Sequence, residues 1–298
     1  MMSARAFAKI NLSLRVLGVL ADGYHELRTI FQSIALHDTL MIRRVRGPFW
    51  LVCDDVACPA DSTNLVWRAA EAVWTASGRA GSPRNVGVTL TKRIPVAAGL
   101  GGGGSDAAAA LRAFARLWRV DAKRLPDIAA SLGADVPYFL EGGTVLGLGR
   151  GDELFPLIDQ PRAWVTLVVP AFGISAKDAY AWFDQEVPGD REDRAGADVR
   201  VHAGADIWAG SHDECCNDLE RAVARRHPEI ARIVSALRAA GASHAAMTGS
   251  GSTVFGLFDR KPAAVRASRA LAELDRGLSS IIVTRTLTRA ECRRLAAK

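Results

Sequence analysis

The chain has 298 residues, 49% hydrophobic and 23% charged, with a formal net charge of +6; such a length favours two domains over one, and such a composition argues against disorder. The positive balance suits a polyanionic small molecule, but its arginines are spread over Ala-rich segments such as RAVARRH and ARIVSALRAA, without the basic, aromatic-lined stripe that nucleic acid requires. No stretch approaches the roughly 18 uninterrupted apolar residues of a membrane span, and MMSARAFAKINLSLRV lacks a signal-peptide core and cleavage site, so a cytoplasmic protein without a membrane partner is expected.

Short apolar runs at 11–19, 27–36 and 39–45, the first two separated by an Asp22-Gly23 turn, read as strands. Residues 64–77 keep helical spacing at Leu65, Ala69, Ala72 and Val73, with Asp61 or Ser62 as the cap. A strand at 86–91 follows. Pro95 holds Ile94 extended, and a helix opening at Ser105 and Asp106 puts Leu111, Phe114, Ala115 and Trp118 on one core face. From residue 163 the order changes to strand 164–169, helices 176–184 and 229–240, strands 243–247 and 253–258, helix 263–274 and strand 280–287. With a helix at 218–226 set aside as a partner of the second helix, this is a βαββαβ series, which predicts a ferredoxin-like second domain. The boundary falls within 154–162, giving domains 1–158 and 159–298. Residues 186–213, rich in Gly, Asp and Arg, read as a surface insertion. The cysteines Cys53, Cys58, Cys215, Cys216 and Cys292 form an odd set without a Cys-x-x-Cys pair or zinc-finger spacing, so reduced, unligated thiols are expected.

The most informative segment is Pro95-Val96-Ala97-Ala98-Gly99-Leu100-Gly101-Gly102-Gly103-Gly104-Ser105. It ends at a helix start, where unpaired N–H groups and the helix dipole favour an anion, and glycine permits the close approach that a phosphate needs. Ser105 either contacts phosphate or caps the helix. Gly99, Gly101 and Gly104 also satisfy G-x-G-x-x-G, but KRIPVAA separates them from the preceding strand and no acidic residue ends a second strand about 20 residues on, which excludes a dinucleotide fold. The absence of G-K-[ST] excludes a Walker loop.

Combined with AKINLSLRVLGVLADGYHEL at the start and TGSGSTVFGLF at 248–258, PVAAGLGGGGSDAAAAL resembles the GHMP kinase family. GYHEL at 23–27, GADVPYF at 133–139 and CNDLE at 216–220 resemble the branch that phosphorylates a CDP-linked methylerythritol in isoprenoid biosynthesis, and argue against the branches acting on mevalonate, homoserine or sugars. The resemblance implies an α+β, two-domain GHMP kinase fold, with a ribosomal-protein-S5-like ATP-binding domain followed by a ferredoxin-like domain and the site in the cleft between them. It implies ATP as donor, with Mg²⁺ travelling on its phosphates although no paired carboxylates mark a metal site. It implies Asp135 as catalytic base with Lys9 beside it, and Pro95 to Ser105 as the ATP loop. Tyr24 and His25 match residues that hold the cytosine, and either Tyr180 or Phe172 would complete the stack. Asn11 and Asp106 are candidates for substrate polar groups, while Asp106 would also complement the helix terminus. Thr248, Gly249, Ser250 and Gly251 would approach the glycine loop and phosphates, although a hairpin turn also favours glycine. Asn217 and Asp218 match a family motif or simply cap a helix. The family often has two serines after the glycines where this chain has Gly104 and Ser105, which removes one phosphate-contacting hydroxyl. The oligomeric state is not legible.

Overall fold

The computed structural model describes residues 1–186, 217–274 and 278–296. The amino-terminal sheet is built on a long hairpin, β1 (Met2–Val19) and β2 (His25–Pro48), followed by β3 (Trp50–Cys53), β4 (Arg84–Thr91), β5 (Thr144–Leu148) and β6 (Glu153–Pro156). Residues 27–36 and 39–45, expected as two strands, are one continuous strand. β1 covers one edge of β2 along its length, and the other edge is shared between β4 at 39–48 and β5 at 29–32. The register of β1 on β2 shifts between Phe7 and Lys9 and again between Asn11 and Ser13. These irregularities flank Lys9 and Asn11, and such bulges re-aim side chains locally.

Helices α1 (Leu65–Ala76), α2 (Gly102–Trp118), α3 (Leu125–Leu132) and α4 (Val136–Glu141) accompany that sheet. The cap of α1 is Asn64, whose side chain accepts from the Val66 N–H; Asp61 instead closes a local turn onto Thr63. Helix α2 starts at Gly102, three residues before the expected Ser105, because Gly101 adopts a left-handed φ of 71° and turns the chain into the helix. Its small Ala107 to Ala110 run allows close packing, and the buried Phe114 ring stacks on Trp118 at 4.9 Å. Burying such a ring contributes about 1.5–3 kcal/mol.

The second sheet has the spatial order β10 (Leu278–Arg285), β7 (Trp164–Pro170), β9 (Val254–Phe258), β8 (His244–Met247), all antiparallel. With α5 (Ala176–Glu186), α6 (Asp218–Arg226), α7 (Glu229–Ala239) and α8 (Lys261–Leu274) in the connections, this is the expected ferredoxin-like topology. A final helix, α9 (Arg289–Ala296), places Cys292 beside Phe7 and Leu287 in a small core. Cys53, Cys58 and Cys292 are free; Cys215, Cys216 and insertion residues 187–213 lie outside the described residues.

The two sheets share a core. Ala8, Ile10 and Leu12 of β1 pack with Val165, Leu167, Phe255 and Leu257. With the other face of β1 also covered, Lys9 and Asn11 are only 5% and 3% exposed.

Candidate active site

Two backbone turns meet where the domains join. A Cβ at Gly99 (φ +75°) would lie 2.2 Å from the Thr248 carbonyl oxygen, and one at Gly249 (φ +58°) would lie 3.1 Å from the Gly99 carbonyl oxygen. The first contact admits no side chain, the second is tight, and both residues have a positive φ, which accounts for glycine on both sides. The Ser105 N–H closes the first helical bond onto Gly101, leaving the N–H groups of Gly102, Gly103 and Gly104 without a helical acceptor. Free donors and a helix dipole at such an end favour an anion. The segment from Pro95 to Ser105 is not uniformly available: Val96, Ala97 and Gly103 are exposed, whereas Ala98 and Leu100 belong to the shared core.

Ser105 neither caps the helix nor faces the solvent. It is buried, and its hydroxyl donates to the Phe7 carbonyl at 2.7 Å. At Gly104, a Cβ would meet the Phe139 ring at 3.2 Å and the Asp135 Cβ at 3.6 Å. The glycine here therefore accommodates an aromatic neighbour that a serine would press.

Lys9 Nζ donates to Asn11 Oδ1 at 2.7 Å, and Asn11 Nδ2 donates to Thr29 Oγ1 at 2.8 Å. The Asn11 N–H donates to Thr248 Oγ1 at 2.9 Å; the Thr248 hydroxyl hydrogen is shared between Asn11 Oδ1 at 3.3 Å and the Gly99 carbonyl at 3.4 Å. Lys9, Asn11, Gly99 and Thr248 are thus one network across the domain junction. Burial pushes Lys9 below the usual lysine range, and the negative charge of Asp135 partly offsets this. Asp135, at the start of α4, is exposed.

The Thr248 to Gly251 turn is held from behind by Asn217, which donates to the carbonyls of Met247 at 2.9 Å and Gly249 at 2.7 Å while its Oδ1 caps α6 at Leu219. Asn217 thus combines the capping role with a positional one. Asp218 binds Arg15 and the Val16 N–H of β1, each at 3.0 Å. Glu220 accepts from the Met247 N–H at 2.7 Å, and burial raises its pKa.

His25 opens β2. Its ring stacks on Tyr180 of α5 at 4.6 Å and 21°, meets Phe183 edge-on, and its Nε2 lies 2.9 Å from Asp184 Oδ1. Tyr180, Phe183 and Asp184 occupy i, i+3 and i+4 positions, so one helical face holds the imidazole. Burial raises the Tyr180 pKa, and Asp135 adds to the rise. Asp135 therefore lies within electrostatic reach of both Lys9 and Tyr180. Tyr24 is 61% exposed, with the Arg150 guanidinium 5.4 Å from its ring centroid. Phe172 stacks instead on His227 at 4.2 Å, so of the two candidate rings only Tyr180 adjoins His25.

Asp106, expected to reach substrate polar groups, is 2% exposed and turned inward. It accepts from Lys92 Nζ at 2.7 Å, and Lys92 also binds the fully buried Asp38. Burial pushes the Asp106 carboxyl up to about 8, opposed by Lys92 and reinforced by Asp38. Sequence reading missed Lys92, Asp38 and Asp184. The only local signal was the Lys92 and Arg93 pair before Ile94-Pro95, which resembles an ordinary solvated loop. Among the described residues, no group of three or more His, Cys, Asp or Glu side chains could hold a metal ion, and no helix is long and apolar enough to cross a membrane.

The family models for the GHMP kinases N terminal domain and GHMP kinases C terminal match residues 64–143 and 206–276. The chain is 44% identical over 273 residues to a 4-diphosphocytidyl-2-C-methyl-D-erythritol kinase of Solibacter usitatus, covering 90% of this chain and 85% of that one. It is 42% identical over 290 residues to the protein of the same name from Moorella thermoacetica, covering 95% and 98%. A crystal structure of 4-(cytidine 5'-diphospho)-2C-methyl-D-erythritol kinase superposes with a TM-score of 0.78 at 34% identity, covering 96% of this chain and 99% of that one.

Proposed function

The chain belongs to the GHMP kinase family, and from that membership we propose that it transfers the γ-phosphoryl group of ATP to the 2-hydroxyl of 4-diphosphocytidyl-2-C-methyl-D-erythritol. The products are ADP and the 2-phosphate, a step of non-mevalonate isoprenoid biosynthesis in the cytoplasm. The observation that carries this reading is the position of Asp135, whose Cβ lies 3.6 Å from where a Gly104 Cβ would stand, in the turn that Lys9 borders at Gly101, and which is within electrostatic reach of Tyr180 on the His25 side. A phosphoryl acceptor tethered to a cytosine needs a base between those two ends.

ATP phosphates would lie on the N–H groups of Gly102, Gly103 and Gly104, with the Thr248 to Gly251 turn closing the other side. The cytosine would stack on an aromatic face, with Tyr24 and Tyr180 as the rings and His25 supplying polar contacts. An alcohol is far less acidic than a carboxylic acid, so Asp135 orients the 2-hydroxyl and accepts its proton as the new P–O bond forms. The Lys9 ammonium stabilises charge on the transferring group; its partial desolvation strengthens that interaction. Lys9 in turn is oriented by Asn11, so the network through Thr248 ties placement of the cation to the turn of the second domain.

Mg²⁺ would enter as the counter-ion of the ATP phosphates, with which it ordinarily travels while keeping several waters. The reading is tested by ADP release from purified protein with Mg-ATP and a panel containing the CDP-linked methylerythritol, mevalonate and homoserine. Turnover of the CDP compound is expected; turnover of mevalonate or homoserine in its place would reject the acceptor assignment.

A further inference from the structure

We propose that Lys92, Asp38 and Asp106 form a proton-sharing clasp fixing both ends of the glycine segment, and that they act as positioning residues for the nucleotide phosphates. The inference rests on the reading of that segment as the ATP phosphate site. At the entrance, the N–H groups of Arg93 and Ile94 both donate to Asp38 Oδ1. At the exit, Asp106 stands four residues into α2. Lys92 bridges the two carboxyls, and its Nζ lies 3.3 Å from where a Cβ of Gly102 would stand, beside the first residue of the helix. A single ammonium therefore couples the strand that leads into the turn to the helix that leaves it.

The charge count is unbalanced. Two ionised carboxylates against one ammonium would leave a net negative charge in a site where the three side chains are at most 5% exposed. Burial and mutual repulsion disfavour that state, and a proton held between the two carboxyls removes the excess. Asp106 Oδ1 is buried without a hydrogen-bond partner, an oxygen better suited to a neutral acid than to a carboxylate. In accord with this, burial and Asp38 push Asp106 up to about 8.

Of the other groups near the clasp, Cys58 feels both Lys92 and Asp106, but burial and the neighbouring Cys53 push its thiol up to about 12, so it stays neutral through this range. Lys9 and Asp135 border the same turn, at Gly101 and Gly104. Near neutrality the clasp is neutral as a whole. As pH rises past about 8 it becomes an anion beside the helix end that binds phosphate, and nucleotide affinity falls.

The test is calorimetric titration of the full chain with ATP, without acceptor, near neutral pH and about two units above it. The wild-type dissociation constant is expected to rise about five- to tenfold, the effect of a nearby unit charge at moderate dielectric. Asp106→Asn should lose the share of this dependence that belongs to the clasp and keep only the shallower share due to the ligand's own titration and to Lys9, whose pKa is lowered at the same turn. A merely structural role would weaken binding equally at both pH values. Parallel profiles for wild type and variant would therefore overturn the proposal. Should Asp106→Asn fail to fold, Asp38→Asn removes the other half of the pair and must flatten the profile likewise. Because no acceptor is present, a chain with the expected pH dependence but no turnover of the CDP compound sustains the clasp and rejects the acceptor, whereas binding no ATP at either pH overturns both.

Discussion

Replacing Gly99 by alanine probes the junction most directly. The new Cβ would stand 2.2 Å from the Thr248 carbonyl oxygen and 3.0 Å from that of Gly251, and both obstacles are backbone. No rotamer change relieves them, so the two turns must separate by about 1 Å to restore ordinary van der Waals distance. The positive φ of 75° adds about 1–2 kcal/mol of strain for any L side chain. Together with overpacking, the expected loss of stability is about 2–4 kcal/mol. Separation also pulls Thr248 from Asn11, and a displacement of about 1 Å at a reacting centre lowers turnover on the order of 100-fold. Thermal unfolding and coupled ADP release measure the two effects. Gly103→Ala is the control: its Cβ would meet only Leu65 Cδ1 at 3.8 Å, an ordinary contact within a helix. It should hold or gain up to about 1 kcal/mol in stability through helix propensity. Wild-type melting and turnover in Gly99→Ala would refute the close meeting of the two turns.

Asp135→Asn should lose at least about 100-fold in turnover while still binding ATP, since the amide accepts no proton; single-turnover kinetics beside ATP titration separate the two, and near-wild-type turnover would remove Asp135 from the mechanism. Lys9→Met should also abolish turnover yet raise stability by about 1 kcal/mol, because a buried ammonium is replaced by an apolar chain of similar length. The sign follows from the lowered pKa of Lys9. Between its folded value and the ordinary 10.5 the unfolded chain binds more protons, so wild-type stability gains with rising pH in that window and the variant lacks this gain. Denaturant titration across alkaline pH measures it, and a variant less stable than wild type at neutral pH would oppose the assignment. Asn217→Ala leaves the Met247 and Gly249 carbonyls without their donor and removes the α6 cap. A loss of about 2–4 kcal/mol is expected by chemical denaturation, with turnover reduced through the displaced turn; a loss under about 0.5 kcal/mol would show that the turn holds itself.

Local features of this chain were legible because their causes are local. Gly101, Gly102 and Gly103 announce a tight turn into a helix, the spacing of Leu111, Phe114 and Trp118 a buried face, and the strand and helix runs after residue 163 a βαββαβ unit. Each depends on backbone freedom or periodicity within a few residues. The start of α2 is not legible locally, because Ser105 is a good cap in isolation whereas a left-handed Gly101 begins the helix earlier. The single long β2 looks like two strands locally because His37 and Asp38 interrupt its apolar run; Asp38 is tolerated inside because Lys92, 54 positions away, and the N–H groups of Arg93 and Ile94 meet it.

The tertiary structure alone decided which polar residues became part of the site. In alternation, Lys9 and Asn11 look like the solvent face of a strand, but β1 is covered on both faces, so they are buried and tied to Thr248. Ser105 and Asp106 look equally available beside the glycines, yet one turns to the Phe7 carbonyl and the other to Lys92. Tyr180 and His25 meet only because α5 docks on the β1–β2 hairpin. A sequence specifies the conformations its own neighbours allow. The burial of a charge and the identity of its partner depend on contacts between residues far apart in the chain, and those exist only once the two sheets have closed on each other.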